Sequence, residues 1–186
     1  MILEAILSTR DEDGKPRFAP IGLFWGEERV ELRVFRTSRT CRNLTGGRGA
    51  VANLTDDVFL FVRCALKNGT RDEPPHRPSG LVPGGILDGA CSYRELRILS
   101  SEEEGERTRF VCAVAGTGTP REFLGFNRAA GALLEATVVA TRPAWAVESV
   151  WRPLLQRARL LTEKTGGERE RAALALLESW FEGGSP

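Results

Sequence analysis

The chain has one histidine, His76, one tyrosine, Tyr93, and only three lysines, Lys15, Lys67 and Lys164. Its four cysteines, Cys41, Cys64, Cys91 and Cys112, stand far apart with no C-x-x-C pair. A zinc centre of closely spaced Cys and His, or a nucleophile activated by a nearby imidazole, therefore lacks its usual parts. The thiols read as reduced and structural, and no metal is expected. Nor is there a Ser-His-Asp pattern, which leaves little for hydrolysis or covalent catalysis without a cofactor. No run approaches the roughly 20 apolar residues of a membrane span, and the amino-terminal apolar stretch, flanked by Glu4 and Arg10, is too short for a signal peptide. The expectation is a cytoplasmic chain without membrane contact.

The most informative absence is local. Between Leu32 and Thr55 there is not one carboxylate, although the chain carries 25 Asp and Glu and a net charge of only +1. The same stretch holds Arg33, Arg36, Arg39, Arg42 and Arg48, with Thr37, Ser38 and Thr40 among them. Val30 to Phe35 reads as a strand, and Ser38 to Leu44 as a short helix with a hydroxyl N-cap, running without a breaker until Gly46-Gly47. The first turn of such a helix presents unpaired N–H groups and the positive end of its dipole, beside guanidinium groups that grip phosphate oxygens in pairs. This pattern points to an anionic ligand, with phosphate its natural form. The alternative is a solvated arginine-rich face.

At 186 residues, 41% hydrophobic and 27% charged, the chain is long enough for one sizeable core or a core with an appended lobe. Ile2 to Thr9, Arg17 to Phe24, Val30 to Phe35, Ala50 to Leu54, Ala90 to Ser100 and Arg107 to Gly116 read as strands, with turn chemistry at Asp11 to Pro16 and at Glu102-Glu103-Glu104-Gly105. Val58 to Leu66 fits a strand or a helix; Asp56 or Asp57 as a cap favours the helix. Lys67 to Gly89, with four prolines and five glycines, is expected to be a long irregular excursion. About six consecutive, hairpin-linked strands favour an antiparallel barrel over a parallel sheet. From Asn127 the texture becomes helical: Asn127 to Thr141 broken by Pro143, a helix through Trp151 and Leu161 ended by Gly166-Gly167, and Glu168 to Phe181. The expected class is α+β, with a barrel domain over 1–126 that includes an irregular insertion at about 67–89, and a helical subdomain over 127–186. Trp151 and Trp180 read as packing residues.

Ser8 to Pro20, followed by strand, turn and strand, then Arg36-Thr37-Ser38-Arg39-Thr40, Asn43-Leu44 and the strand to Asn53, resembles the opening of an FMN-binding split β-barrel. That is the fold of pyridoxamine-phosphate oxidases and flavin reductases. Asn53 to Val58, Phe123 to Ala129 and Glu163-Lys164-Thr165-Gly166-Gly167 resemble an uncharacterised branch of that fold, known from methanogens and some bacteria handling one-carbon units on methanopterin. The resemblance implies a homodimer with FMN in a groove at the subunit interface. It places Ser38, Arg39 and Thr40 where oxidases of this fold carry Ser-Arg-Lys. Thr40 departs from that pattern, leaving Arg36 or Arg42, with Thr37 nearby, to supply the missing charge. It also implies that Ala19, Pro20 and Ile21 run beside the flavin ring through their backbone and that Asn53 meets the ring edge or ribityl chain. Asn127 and Arg128 reach the site or the neighbouring subunit, or else are an N-cap and a surface arginine.

An FMN-dependent oxidoreductase acting on a small molecule leads the functional classes, and the resemblance implies a pterin-related or other one-carbon substrate. A flavin carrier or sensor without turnover comes second. A nucleic-acid binder comes last, because Phe35 is the only aromatic residue within the arginine run. No catalytic acid or base is identifiable: Asp56 and Asp57 are candidates by position, and helix capping explains them equally well.

Overall fold

Alternation sets the first strand. In Ile2–Arg10 (β1), Ala5, Leu7 and Thr9 share one face while Ile6 and Ser8 share the other, and all five are buried. A strand covered on both sides needs two neighbouring layers. In the computed structural model, which describes residues 1–47, 49–66, 73–142 and 147–183, these are a barrel interior and a later segment laid against the barrel wall.

The elements after β1 are Pro16–Trp25 (β2), Arg29–Phe35 (β3), Arg39–Gly47 (α1), Gly49–Leu54 (β4), Val58–Leu66 (α2), His76–Pro78 (β5), Gly85–Leu87 (β6), Ser92–Glu104 (β7), Arg107–Gly118 (β8), Arg128–Ala140 (α3), Glu148–Thr165 (α4) and Glu168–Glu182 (α5). Arg48, residues 67–72 of the Pro/Gly-rich excursion and Pro143 lie outside the described residues.

Six strands close into an antiparallel barrel in the order β1, β2, β3, β8, β7, β4, so the class is α+β as expected. The connectivity departs from a run of hairpins. β4 pairs with β1 and β7, and β3 with β8. Helices stand in the connections on both sides of β4, so no tight turn ties it to a sequence neighbour and it is free to close the seam. Leu23, Val30, Leu32, Ala52, Leu96 and Phe110 fill the interior with Ala5 and Leu7, and Cys41 and Leu44 of α1 pack into the same core. Each fully buried side chain of Leu or Phe size stabilises by about 1.5–3 kcal/mol.

The excursion expected to be irregular contains an ordered hairpin, β5 with β6, in the register His76↔Leu87, Arg77↔Ile86, Pro78↔Gly85. Its proline and glycine content hides the pairing, which polar groups of the barrel wall secure. Ser8 Oγ accepts the Gly85 N–H at 2.8 Å, and Glu95 Oε1 accepts the N–H groups of Gly80 and Leu81 at 3.1 and 3.0 Å. Val82 and Ile86 pack on Val51.

The chain divides into two compact units, Met1–Thr55 with Pro75–Glu122, and Asp56–Pro74 with Phe123–Pro186. The second unit is therefore discontinuous and includes α2. Asp57 starts that helix, its Oδ1 accepting the Leu60 N–H at 3.0 Å. Val58, Val62 and Leu66 pack with Leu133, Leu155, Ala173 and Leu177; Trp151 and Trp180 pack against this core, with Trp151 stacked on Phe181 at 4.5 Å. Gly166 ends α4. All four cysteines are buried, and burial pushes the Cys112 thiol up to about 12. No helix among the described residues is long and apolar enough to cross a membrane.

Candidate functional site

β3 ends at Phe35 and enters α1 through a three-residue turn. The Ser38 N–H donates to Phe35 O at 3.0 Å, and Ser38 Oγ accepts the Cys41 N–H at 3.1 Å, which makes Ser38 the N-cap. The Arg42 N–H donates to Ser38 O at 3.3 Å as the first helical bond. Among the described residues nothing takes the N–H groups of Arg39 and Thr40, so two donors stay open at the positive end of the helix dipole. The first turn contains no acidic residue, and the Arg39 side chain is exposed.

The fold brings carboxylates to a stretch that has none in sequence. Arg36 Nη2 lies 2.9 Å from Glu103 Oε2, and Arg33 Nε lies 3.8 Å from Glu104 Oε2. The turn between β7 and β8 was legible as an acidic turn, but a contact that far along the chain leaves no local signal. Both pairs are largely exposed, and such pairs contribute about 0–1 kcal/mol, so an arriving anion competes readily for Arg36. Arg42 Nη1 donates to Thr37 O at 3.1 Å and leans back over the turn. A groove of about 1040 Å³ runs here, lined by Arg36, Thr37, Arg42 and Thr45 together with Glu102, Glu103 and Glu106. On the adjoining wall Glu31 takes both Nε and Nη2 of Arg109 at 3.0 Å; that hydrogen bonding holds the Glu31 carboxyl below its usual range and the Arg109 guanidinium above its own.

Ala19, Pro20 and Ile21 lie in β2, which pairs with β1 over its whole length but with β3 only through Leu23, Phe24 and Trp25. From Pro16 to Gly22 its other flank has no strand partner among the described residues, so alternate residues direct backbone groups away from β1 into a gap. Such a flank explains how Pro20 sits inside a strand. The strand on the far side of the gap is β3, whose end carries Arg36 to Thr40.

Asn53 stands elsewhere. It is wholly buried, its Nδ2 donating to Ile6 O and Gly85 O at 3.2 Å each and its Oδ1 accepting the Leu87 N–H at 2.9 Å. These bonds give its amide to the β5–β6 hairpin and not to an open surface, a use that its strand-end position does not disclose. Asn127 and Arg128 belong to the helical unit. Asn127 is the N-cap of α3, its Oδ1 accepting the N–H groups of Ala129 and Ala130 at 2.8 and 3.2 Å, and its Nδ2 donating to Thr165 O. Arg128 is exposed beside Glu135 and Arg157. Asp56 Oδ2 accepts the Leu124 N–H, and Asp57 both caps α2 and lies 3.4 Å from Arg169, so both carboxylates serve the helical unit.

A closed six-stranded antiparallel barrel whose second strand is unpaired on one flank is a split barrel of the flavin reductase type. An FMN-binding protein from Thermus thermophilus, solved with bound p-hydroxybenzaldehyde, shares this fold at 19% identity, with 63% of this chain and 71% of that chain covered and a TM-score of 0.54. A Streptomyces globisporus NADH:FAD oxidoreductase shares it at 13% identity, over 62% and 69%, with a TM-score of 0.55. The chain belongs to the family described as protein of unknown function (DUF447), whose N-terminal domain matches residues 3–119 and whose C-terminal part matches residues 127–179. A member of that family, the FMN-bound protein MM1853 from Methanosarcina mazei, is 27% identical over 96% of this chain and 94% of its own, with a TM-score of 0.80.

Proposed function

We propose that this chain binds FMN and acts as a flavin-dependent oxidoreductase, working as a homodimer with the flavin near the subunit boundary. The observation that carries the reading is the α1 start with its two open N–H donors, in a chain that aligns almost end to end with an FMN-bound relative. The residues fit the group. A phosphate monoester would take the N–H groups of Arg39 and Thr40, the hydroxyls of Thr37, Ser38 and Thr40, and the guanidinium groups of Arg39 and Arg36. A planar heterocycle would take backbone groups of Ala19, Pro20 and Ile21 along its edge. FMN, when bound, supplies one- and two-electron transfer through its ring. The chain's own part is to anchor the phosphate, align the ring against β2 and keep a dry barrel wall behind it. The substrate we propose, a pterin-borne one-carbon unit or a relative of it, rests on the resemblance to proteins of methanogens.

The absorption spectrum of the purified protein, with the released ligand identified by mass, tests the cofactor. A colourless protein that takes up no added FMN would end the proposal. Arg36→Ala and Arg39→Ala should each weaken FMN retention by about 10-fold to 100-fold, as the loss of one charge-assisted hydrogen bond implies, while leaving the fold intact. Unchanged retention in both would move the phosphate elsewhere. Steady oxidation of NAD(P)H or of a pterin substrate separates an enzyme from a flavin carrier, and light scattering giving twice the mass of one chain tests the dimer.

A further inference from the structure

The β7–β8 hairpin reaches as far as the end of β3. Phe35 is in register with Arg107, which pairs in turn with Glu104 across a turn in which Gly105 adopts φ 59°. The tip is fastened to the chain entering α1: the Arg36 N–H donates to Glu106 O at 3.0 Å, and the Arg36 guanidinium lies 2.9 Å from Glu103. Its carboxylates are thereby held beside the helix start. Four acidic residues, Glu12, Glu102, Glu103 and Glu106, line the groove against two basic ones, Arg36 and Arg42, and Arg36 is already matched by Glu103. The helix start is positive, and the neighbouring groove, which reaches Thr37 and Cys41 on either side of it, has more acidic than basic residues in its lining, with Glu102 also 3.7 Å from Arg109.

We propose that this acidic hairpin is a charge filter that admits a flavin ending in a single phosphate and turns away one whose phosphate continues into a second phosphate and a nucleoside, as in FAD. The proposal rests on the reading of the α1 start as the phosphate site. Barrels of this fold are named for either flavin, so the fold does not decide between them. Space does not decide either, since a groove of about 1040 Å³ accommodates a nucleoside. Charge remains. The terminal phosphate of FMN sits at the open N–H groups, on the positive side. The second phosphate of FAD would run along the carboxylates, each of which disfavours it by about fourfold at the dielectric of water and a separation of about 5 Å.

The test is a fluorescence titration of flavin-free protein with FMN and with FAD. The wild-type chain should hold FMN at least about tenfold more tightly than FAD, as several such contacts imply after screening. The combined Glu102→Gln, Glu103→Gln, Glu106→Gln variant should narrow that ratio about tenfold, mainly by gaining FAD, and added salt should narrow the wild-type ratio in the same direction. If the triple variant does not fold by circular dichroism, Glu106→Gln alone serves, with an expected narrowing of about fourfold. An unchanged ratio in a folded variant that still binds FMN, or a wild type that holds both flavins equally, overturns the filter and leaves the FMN reading standing. A wild type that binds neither flavin overturns both.

Discussion

Replacing Asn53 with Ala should destabilise the protein by about 3–5 kcal/mol without acting on a ligand directly. The side chain is fully buried and makes three hydrogen bonds, all to backbone: Ile6 O in β1, and Gly85 O and Leu87 N–H in the β5–β6 hairpin. Each bond contributes about 1 kcal/mol net, and a buried backbone group left without a partner costs about 1–3 kcal/mol. Partial repair by water brings the sum into the range given, a large fraction of the roughly 5–15 kcal/mol of a folded chain. The melting temperature should fall by about 10 °C. Asn53→Asp, nearly identical in shape, should cost at least as much, because it aims a carboxylate oxygen at two carbonyls. Urea titration measures the loss, and limited proteolysis localises it, with new cleavage expected between Glu73 and Ala90. The reasoning is refuted if Asn53→Ala unfolds within about 0.5 kcal/mol of wild type while its flavin retention collapses; Asn53 would then act on the flavin, as its place at the end of β4 first implies.

Ser38→Ala removes the cap of α1 and should cost about 1 kcal/mol by thermal unfolding, together with weaker FMN retention because the open N–H groups lose their fixed direction. The Glu31 carboxyl is held below its usual value of 4.5, mainly by the hydrogen bonding from Arg109. The stability it contributes is therefore complete above the ordinary Glu range and lost as pH falls through the lowered value; Glu31→Gln should flatten that part of an acid unfolding curve. The four buried cysteines should resist a thiol reagent in the native protein, Cys112 most of all since burial pushes its thiol up to about 12, and should react together on unfolding. Rapid native-state labelling of Cys112 would mean that the barrel interior opens.

What the sequence disclosed follows from the range of the forces involved. Period-two alternation and turn residues are local, so the six barrel strands and the helix after Ser38 were readable, as were α3 to α5 from their apolar stripes. Closure was not, because the pairing of β4 with both β1 and β7 joins residues far apart in sequence. The β5–β6 hairpin escaped notice because its order comes from Ser8, Asn53 and Glu95, not from its own Pro and Gly residues. At the site, the arginine turn was visible as composition, whereas Glu103 on Arg36 and the open flank of β2 are products of the fold. Asn127 at the start of α3 could be read from its residue type, which is the signature of a cap.

The helical unit draws α2 from the middle of the chain and its other helices from the end. During synthesis α2 leaves the ribosome long before α3, α4 and α5, carrying Val58, Val62 and Leu66 with nothing yet to bury them. A polypeptide stopped after Phe126 would keep that exposed apolar helix permanently and should aggregate. The two segments by which the family is described, 3–119 and 127–179, are consequently not independent pieces that can be expressed apart.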